Sequence, residues 1–267
     1  MLLEEFDSNK VAIFNPDTFD SKIEEMPKTC VSFFSKTIMK YIVENFEVEQ
    51  IANISNATAN FPVYKINIDG TDIAVYQSAV GAPACVSNAE ELIAMGVKNL
   101  LLVGCCGCLE DELEEYSIII PTSAIRDEGT SYHYQPVSDE TEIAVKMVKT
   151  IENFIKSKSI SYSKGKTWTT DAIFRETKDK VAKRKKQGAI IVDMECSAMN
   201  VLAEFRGVNF GQIFYAADNL GAEEYDPRHL MLTGESDMDS KVKIISLALE
   251  CGLEIDKKFN LENNYGL

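Results

Sequence analysis

Strands alternate with helices along the whole chain, which predicts an α/β sandwich around a mostly parallel or mixed central sheet. Three observations carry this expectation. An apolar run of strand type, Ile190-Ile191-Val192, ends in Asp193-Met194-Glu195 and then in small residues that can open a helix. A second run of buried type, Asn99 to Val103, follows a helical pattern over Ala84 to Met95 that Gly96 ends. Around 61–68, FPVYKINI alternates like a strand, and Asp69-Gly70 makes a hairpin turn into Asp72 to Tyr76.

The remaining elements fall into place in order. Residues 28–48 read as a helix, and Gly81-Ala82-Pro83 breaks the chain before the next one. Gly104 to Gly107 reads as a turn after the strand at 99–103, and Ser117 to Ile120 as a strand ended by Pro121. A long polar segment runs from Arg126 to Tyr134. Residues 140–157 carry an amphipathic helical pattern, 160–170 a strand pattern, and Lys178 to Lys186 a strongly basic, solvated helix. Strand 189–193, helix 197–206, strand 209–216 and a last helix at 238–255 complete the reading. No internal repeat, low-complexity stretch or Pro/Gly/Ser-rich linker interrupts it, so residues 1–267 are expected to form one domain.

Composition narrows the function classes. The chain is 45% hydrophobic and 26% charged, ordinary for a globular protein. Its formal net charge of −15 argues against nucleic acid or an anionic membrane as partner. The polar, acidic start MLLEEFDSNK has no signal-peptide pattern, and no apolar run has transmembrane length, so a cytoplasmic protein is expected. The seven cysteines (Cys30, Cys85, Cys105, Cys106, Cys108, Cys196 and Cys251) show no zinc-type spacing and read as buried small apolar residues. A thiol enzyme would need a base, and His133 and His229 are the only imidazoles. No metal cluster or dinucleotide glycine motif is present, so no metal or cofactor is expected.

The chemistry concentrates where strands end. In α/β proteins ligands sit at such points. A carboxylate there, with a thioether beside it, suits vicinal hydroxyls and the apolar face of a sugar; Glu195 and Met194 are that pair. Four segments occur together: Val80-Gly81-Ala82-Pro83; Val103-Gly104-Cys105-Cys106-Gly107-Cys108-Leu109; Ala124 to Tyr134 with its Arg126-Asp127-Glu128-Gly129 core; and Val192-Asp193-Met194-Glu195 with Ala217-Asp218-Asn219. In this order and spacing the chain, from about residue 60 to 250, closely resembles the nucleoside phosphorylase family: uridine phosphorylase, hexameric purine nucleoside phosphorylase and the methylthioadenosine nucleosidases.

The resemblance implies a three-layer α/β/α sandwich around a mixed, partly barrel-like sheet, and a dimer-based homo-oligomer that can extend to a hexamer. It places Met194 and Glu195 on the ribose, with Glu195 accepting from the 2′- and 3′-hydroxyls. Asp218 falls on the acid that protonates the departing base in purine-cleaving members. Thr169 to Glu176 matches the segment lining the base pocket, with Thr170, Phe174 and Arg175 as base-binding residues, Phe174 stacking and Arg175 donating.

The phosphate cage departs from the family pattern. Ile13-Phe14-Asn15-Pro16-Asp17-Thr18-Phe19 reads as the equivalent of its N-terminal Gly-Asp-Pro-x-Arg loop but holds no arginine. Ala59 falls at the arginine lent by a neighbouring subunit, Leu102 replaces a further arginine, and Cys105 replaces a hydroxyl residue. Two compensations are open. Arg126 or Arg228, with the amides of the Gly104–Cys105 turn, can hold phosphate. Alternatively water is the nucleophile and Glu128 its base. The expected activity is phosphorolysis of a purine or uridine nucleoside, with inorganic phosphate as co-substrate. Hydrolysis is the alternative, and a nucleoside-binding protein without turnover the second.

Overall fold

The computed structural model describes residues 2–18, 22–228 and 238–265, so His229 lies outside the described residues. In chain order the elements are β1 (Thr29–Phe33), α1 (Lys36–Asn45), β2 (Val48–Ser55), β3 (Asn60–Ile68), β4 (Thr71–Gln77), α2 (Ala82–Met95), β5 (Asn99–Cys108), β6 (Ile118–Asp127), β7 (Glu140–Glu142), α3 (Val145–Ser157), β8 (Tyr162–Thr170), α4 (Lys178–Lys186), β9 (Ala189–Asp193), α5 (Cys196–Arg206), β10 (Asn209–Asn219) and α6 (Met238–Tyr265).

One mixed sheet organises them. Its order is β10-β6-β8-β9-β5-β1-β4-β3-β2, and β10 also pairs with β5. That second pairing closes β5, β10, β6, β8 and β9 into a ring, the partly closed barrel. The pairings β1–β4, β1–β5, β5–β10, β6–β8 and β8–β9 are parallel. The outer β2–β3–β4 meander is antiparallel. Parallel strands buried on both faces read as continuous apolar runs, and Leu100 to Val103 in β5 and Ile191–Val192 in β9 are all buried. Helices α2 and α5 pack together, as do α3 and α6, and α6 also lies on β1 and β5. No described helix is long and apolar enough to cross a membrane.

The hairpin, α2, α4 and the strand–helix unit at 189–206 form as the sequence predicts. Five elements differ. Pro121 does not end its strand: β6 runs from Ile118 to Asp127, and an irregularity between Pro121 and Ser123 accommodates the proline in the ladder with β8. Residues 28–48 are not one helix: Thr29–Phe33 is a fully buried strand between β4 and β5, and the helix begins only after Ser35. Ser35 caps that helix by accepting from the Ile38 N–H. β2 is an edge strand bonded to β3 alone, with most residues partly or fully exposed, so its periodicity is weak. Gly104 to Gly107 is no turn; β5 runs on to Cys108, held by β10 on one side and β9 at its end. Residues 140–157 divide into β7, paired with β6, and α3 starting at Val145.

Candidate functional site

The site is built on the corner between β9 and α5. Asp193 ends the strand, and its carboxylate accepts four hydrogen bonds. Thr167 and Thr169 hydroxyls of β8 reach Oδ1 at 2.9 and 2.8 Å, and the Glu195 and Cys196 amides reach Oδ2 at 2.8 and 2.6 Å. The side chain thus satisfies first-turn amides of α5 that the helix leaves unpaired. Burial raises the Asp193 pKa, and the four donors act in the opposite direction.

That corner aims Met194 and Glu195 into a cavity of about 190 Å³. Its apolar walls are Phe34, Val80, Ile173, Val192, Ala217 and Leu220, and its polar lining includes Glu195, Asp218, Glu176 and Cys105. Glu195 is 6% exposed. One oxygen accepts from the Gly81 amide at 2.6 Å. Burial and then the Asp193 charge push its carboxyl up to about 8. Gly81 caps α2 at φ +93°, a backbone shape that side chains resist. Asp218, at the end of β10, is 8% exposed, and its Oδ2 accepts from the Tyr225 hydroxyl at 3.0 Å. Burial raises its pKa, against the pull of the Tyr225 bond. A carboxyl held toward its neutral form is suited to give a proton. Cys105 opens onto the cavity from a recessed strand, and desolvation pushes its thiol up to about 11.

The structure places the three expected base-pocket residues outside the cavity lining. Phe174 is 95% exposed and Arg175 is also exposed; neither lines the cavity. Residues 173–175 form a single 3-10 turn, in which positions three apart share a face. Ile173 and Glu176 therefore face the cavity while the two residues between them turn away. Thr170 is buried at the end of β8, where its hydroxyl accepts from the Ala172 amide. The spacing from Ile173 to Glu176 was the available signal; the aromatic ring of Phe174 outweighed it. Burial and then Asp218 push the Glu176 carboxyl up to about 7.

Of the anion-site and base candidates, Cys105 lines the cavity and the others do not. Arg126 is 3% exposed and committed to its own loop: Nε donates to Ser131 Oγ at 2.8 Å, and Nη1 to Gln135 Oε1 and the Pro136 carbonyl. Its guanidinium lies 4.4 Å from the centre of the Tyr132 ring. Arg228 donates to the Leu113 and Ala217 carbonyls at 2.8 and 3.3 Å. Glu128 spends both oxygens: Oε2 accepts from the Thr130 and Ser131 amides, Oε1 from the Ser197 hydroxyl. None of the three lines the cavity. Gly104 lies in the strand ladder beneath Phe34, where a Cβ would stand 2.7 Å from the ring. Of the expected 13–19 loop, residues 13–18 lie elsewhere and Phe19 is outside the described residues. Phe14 and Pro16 line a separate, larger cavity of about 620 Å³ with Glu90 and His133, and none of Met194, Glu195 or Asp218 reaches it. The strand-to-helix turn that does reach the site is Phe34-Ser35, after β1.

The fold and cavity define an α/β protein with two buried carboxyls, Glu195 and Asp218, facing one pocket. Residues 34–251 match the family model of the phosphorylase superfamily. The chain belongs to that family. It is 27% identical over 219 residues to a DeoD-type purine nucleoside phosphorylase of Bacillus cytotoxicus, covering 80% of this chain and 89% of that one. It is 27% identical over 185 residues to a guanosine phosphorylase of Halorubrum lacusprofundi, covering 66% and 75%. Among solved structures, uridine phosphorylase from Vibrio fischeri superposes with a TM-score of 0.73 at 22% identity, over 89% of this chain and 95% of that one. Purine nucleoside phosphorylase from Toxoplasma gondii, in complex with immucillin-H, superposes at 0.74 and 16%, over 88% and 94%.

Two outcomes follow. Gly81→Ala forces a side chain into φ +93° and withdraws the amide from Glu195. It should cost about 2 kcal/mol in denaturant unfolding and lower turnover as well; unchanged stability would show that the cap relaxes freely. The second concerns pH. Folded Glu195 keeps a proton up to about 8 that the unfolded chain releases near the ordinary 4.5, so ionising it costs folded-state stability. The melting temperature should fall as pH rises from about 5 to about 9, and less steeply in Glu195→Gln. An identical slope in the variant would remove Glu195 as the cause.

Proposed function

We propose that the protein cleaves the N-glycosidic bond of a purine nucleoside and passes the ribosyl group to inorganic phosphate. One observation supports this most: Glu195 with Met194, and Asp218, face the same buried cavity from two strand ends. Glu195, ionised, accepts from the ribose hydroxyls, and Met194 packs on the sugar. Asp218, kept toward its neutral form, donates to the imidazole edge of the purine as the bond to the base breaks. The sugar develops oxocarbenium character, so a base that leaves neutral lowers the barrier. The phosphate acceptor rests on the family and on the names of the relatives above. A binding protein without turnover would not need a protonatable carboxyl at Asp218.

Hydrolysis is a second reading, and one observation favours it: among the described residues no Arg, Lys or His side chain lines the cavity. Product analysis decides. Guanosine or inosine with phosphate should give base and ribose-1-phosphate; free ribose, formed at the same rate without phosphate, assigns the water reaction. In the same assay Asp218→Asn should slow purine nucleosides by about a hundredfold or more, and nitrophenyl riboside far less. Equal losses would make Asp218 a positioning residue.

We also propose a homo-oligomer built on dimers. Val80 and Ile173 line the cavity yet are 64% and 48% exposed, beside Phe174 at 95%. A second copy seated there would cover them and close the cavity. Sedimentation should show a dimer or larger, and Phe174→Asp should shift it toward monomer. A fully active wild-type monomer would contradict the assembly.

A further inference from the structure

We propose that Tyr225 is a positioning residue for proton transfer to the departing base: its phenol holds Oδ2 of Asp218, so that the acid proton rides on Oδ1, the oxygen turned to the cavity. The inference rests on the purine-cleaving reading above and deepens it. Two features aim the acid. β10 pairs with β5 at Ala216–Cys106 and next at Asn219–Cys108, three steps against two, so a bulge falls at Ala217 and Asp218. Bulges of this kind re-aim a side chain beside a site. Beyond the bulge the chain folds back on itself. Asn219 and Asp226 exchange backbone hydrogen bonds at 2.8 and 3.1 Å, the Asn219 side chain accepts from the Gly221 and Ala222 amides, and the Leu220 amide donates to the Cys108 carbonyl. This closed loop returns the Tyr225 hydroxyl to Asp218 Oδ2 at 3.0 Å. Oδ1 stands over Gly107, 3.4 Å from where a Cβ would lie, and Gly107 lines the cavity. The Asp218 amide aside, no described residue bonds Oδ1.

The division of the two oxygens decides where the proton sits. A carboxyl oxygen that accepts from a phenol leaves the other oxygen to carry the acid proton. Desolvation and then the Asp218 bond push the Tyr225 hydroxyl up to about 12, so it stays a donor near neutral pH. In the reaction the N-glycosidic bond breaks with its electron pair on the base, the Oδ1 proton moves to a base nitrogen, and the carboxyl becomes a carboxylate. The phenol bond to Oδ2 is then charge-assisted, roughly twice as strong as a neutral one. A contact that strengthens only as the proton leaves lowers the barrier without tightening substrate binding. Other titratable groups face Asp218: Asp226 and Arg228 of the same loop, Glu176 of the 3-10 turn, and Cys105, Cys106 and Cys108 of β5. None of them is hydrogen-bonded to its carboxyl, and Arg228 donates instead to the Leu113 and Ala217 carbonyls. The Tyr225 ring is 53% exposed, so removing its hydroxyl disturbs no core packing.

The test compares wild type, Tyr225→Phe, Asp218→Asn and the double variant on inosine and nitrophenyl riboside, reading kcat and KM for each. In Tyr225→Phe the kcat for inosine should fall about tenfold with KM little changed, and the ratio of inosine to nitrophenyl riboside should fall with it. The double variant should lose no more on inosine than Asp218→Asn alone, because the phenol acts through the acid. Carbon-13 NMR of protein labelled at its aspartate carboxyls supplies a readout without turnover, the Asp218 signal being the one missing from Asp218→Asn. A donor to the ionised form lowers a carboxyl's pKa, so the Asp218 titration should move to higher pH in Tyr225→Phe. Equal losses on both substrates, additive losses in the double variant, or an Asp218 titration that stays in place overturn the role of Tyr225. If Asp218→Asn still slows inosine selectively, the cleavage reading stands while this inference fails. Cleavage of no nucleoside by wild type ends both.

Discussion

The site depends on the buried carboxylate of Asp193. Its four hydrogen bonds tie two hydroxyls of β8 to the first amides of α5, and so fix the angle at which the chain leaves β9. The network extends further. Thr169 accepts from the Ser197 amide, Ser197 donates to Glu128, Glu128 gathers the Thr130 and Ser131 amides, and Ser131 receives Arg126. A satisfied buried network of this kind is rigid, because breaking one member strands another without a partner. Glu195 stands at its edge, with one oxygen held by Gly81 and the carboxyl facing the cavity. Arg126 and Glu128 belong to this scaffold, their polar atoms turned to its loops and away from the cavity.

The cavity concentrates acids among apolar walls. Glu195, Asp218 and Glu176 are each displaced upward by burial, and each also feels a neighbouring carboxylate. Their environments divide the labour. Glu195 keeps one oxygen in a backbone bond, Asp218 takes a phenol, and Glu176 has neither. Ionising Glu195, as the proposed ribose contact requires, opposes stability, a common trade at functional sites.

Much of this was legible in the sequence. Apolar runs of β5 and β9, the Asp69-Gly70 turn and the helical patterns over 84–95 and 197–206 follow from local chemistry, and the structure keeps them. β1 was hidden because Thr29–Phe33 abuts a helical pattern, and its burial between β4 and β5 is a long-range fact. Gly104 to Gly107 read as a turn because glycines suggest one; the pairing with β10 overrides that local preference. Within the site, Met194 and Glu195 were visible from their place at a strand end, and Asp218 through the family resemblance. Glu176 was not, since a chain gives no mark of a single 3-10 turn that aligns residues three apart. Nor could a sequence show that Arg126 and Arg228 are spent on carbonyls.

The central claim is that Glu195 and Asp218 hold opposite ends of one purine nucleoside. A crystal structure of the protein with a bound purine nucleoside tests it most directly. The account predicts ribose hydroxyls within about 3 Å of the Glu195 carboxylate and the imidazole edge of the base at the same reach from Asp218. A nucleoside bound in the larger cavity beside Phe14 and His133, or one turned so that its sugar faces Asp218, would contradict it.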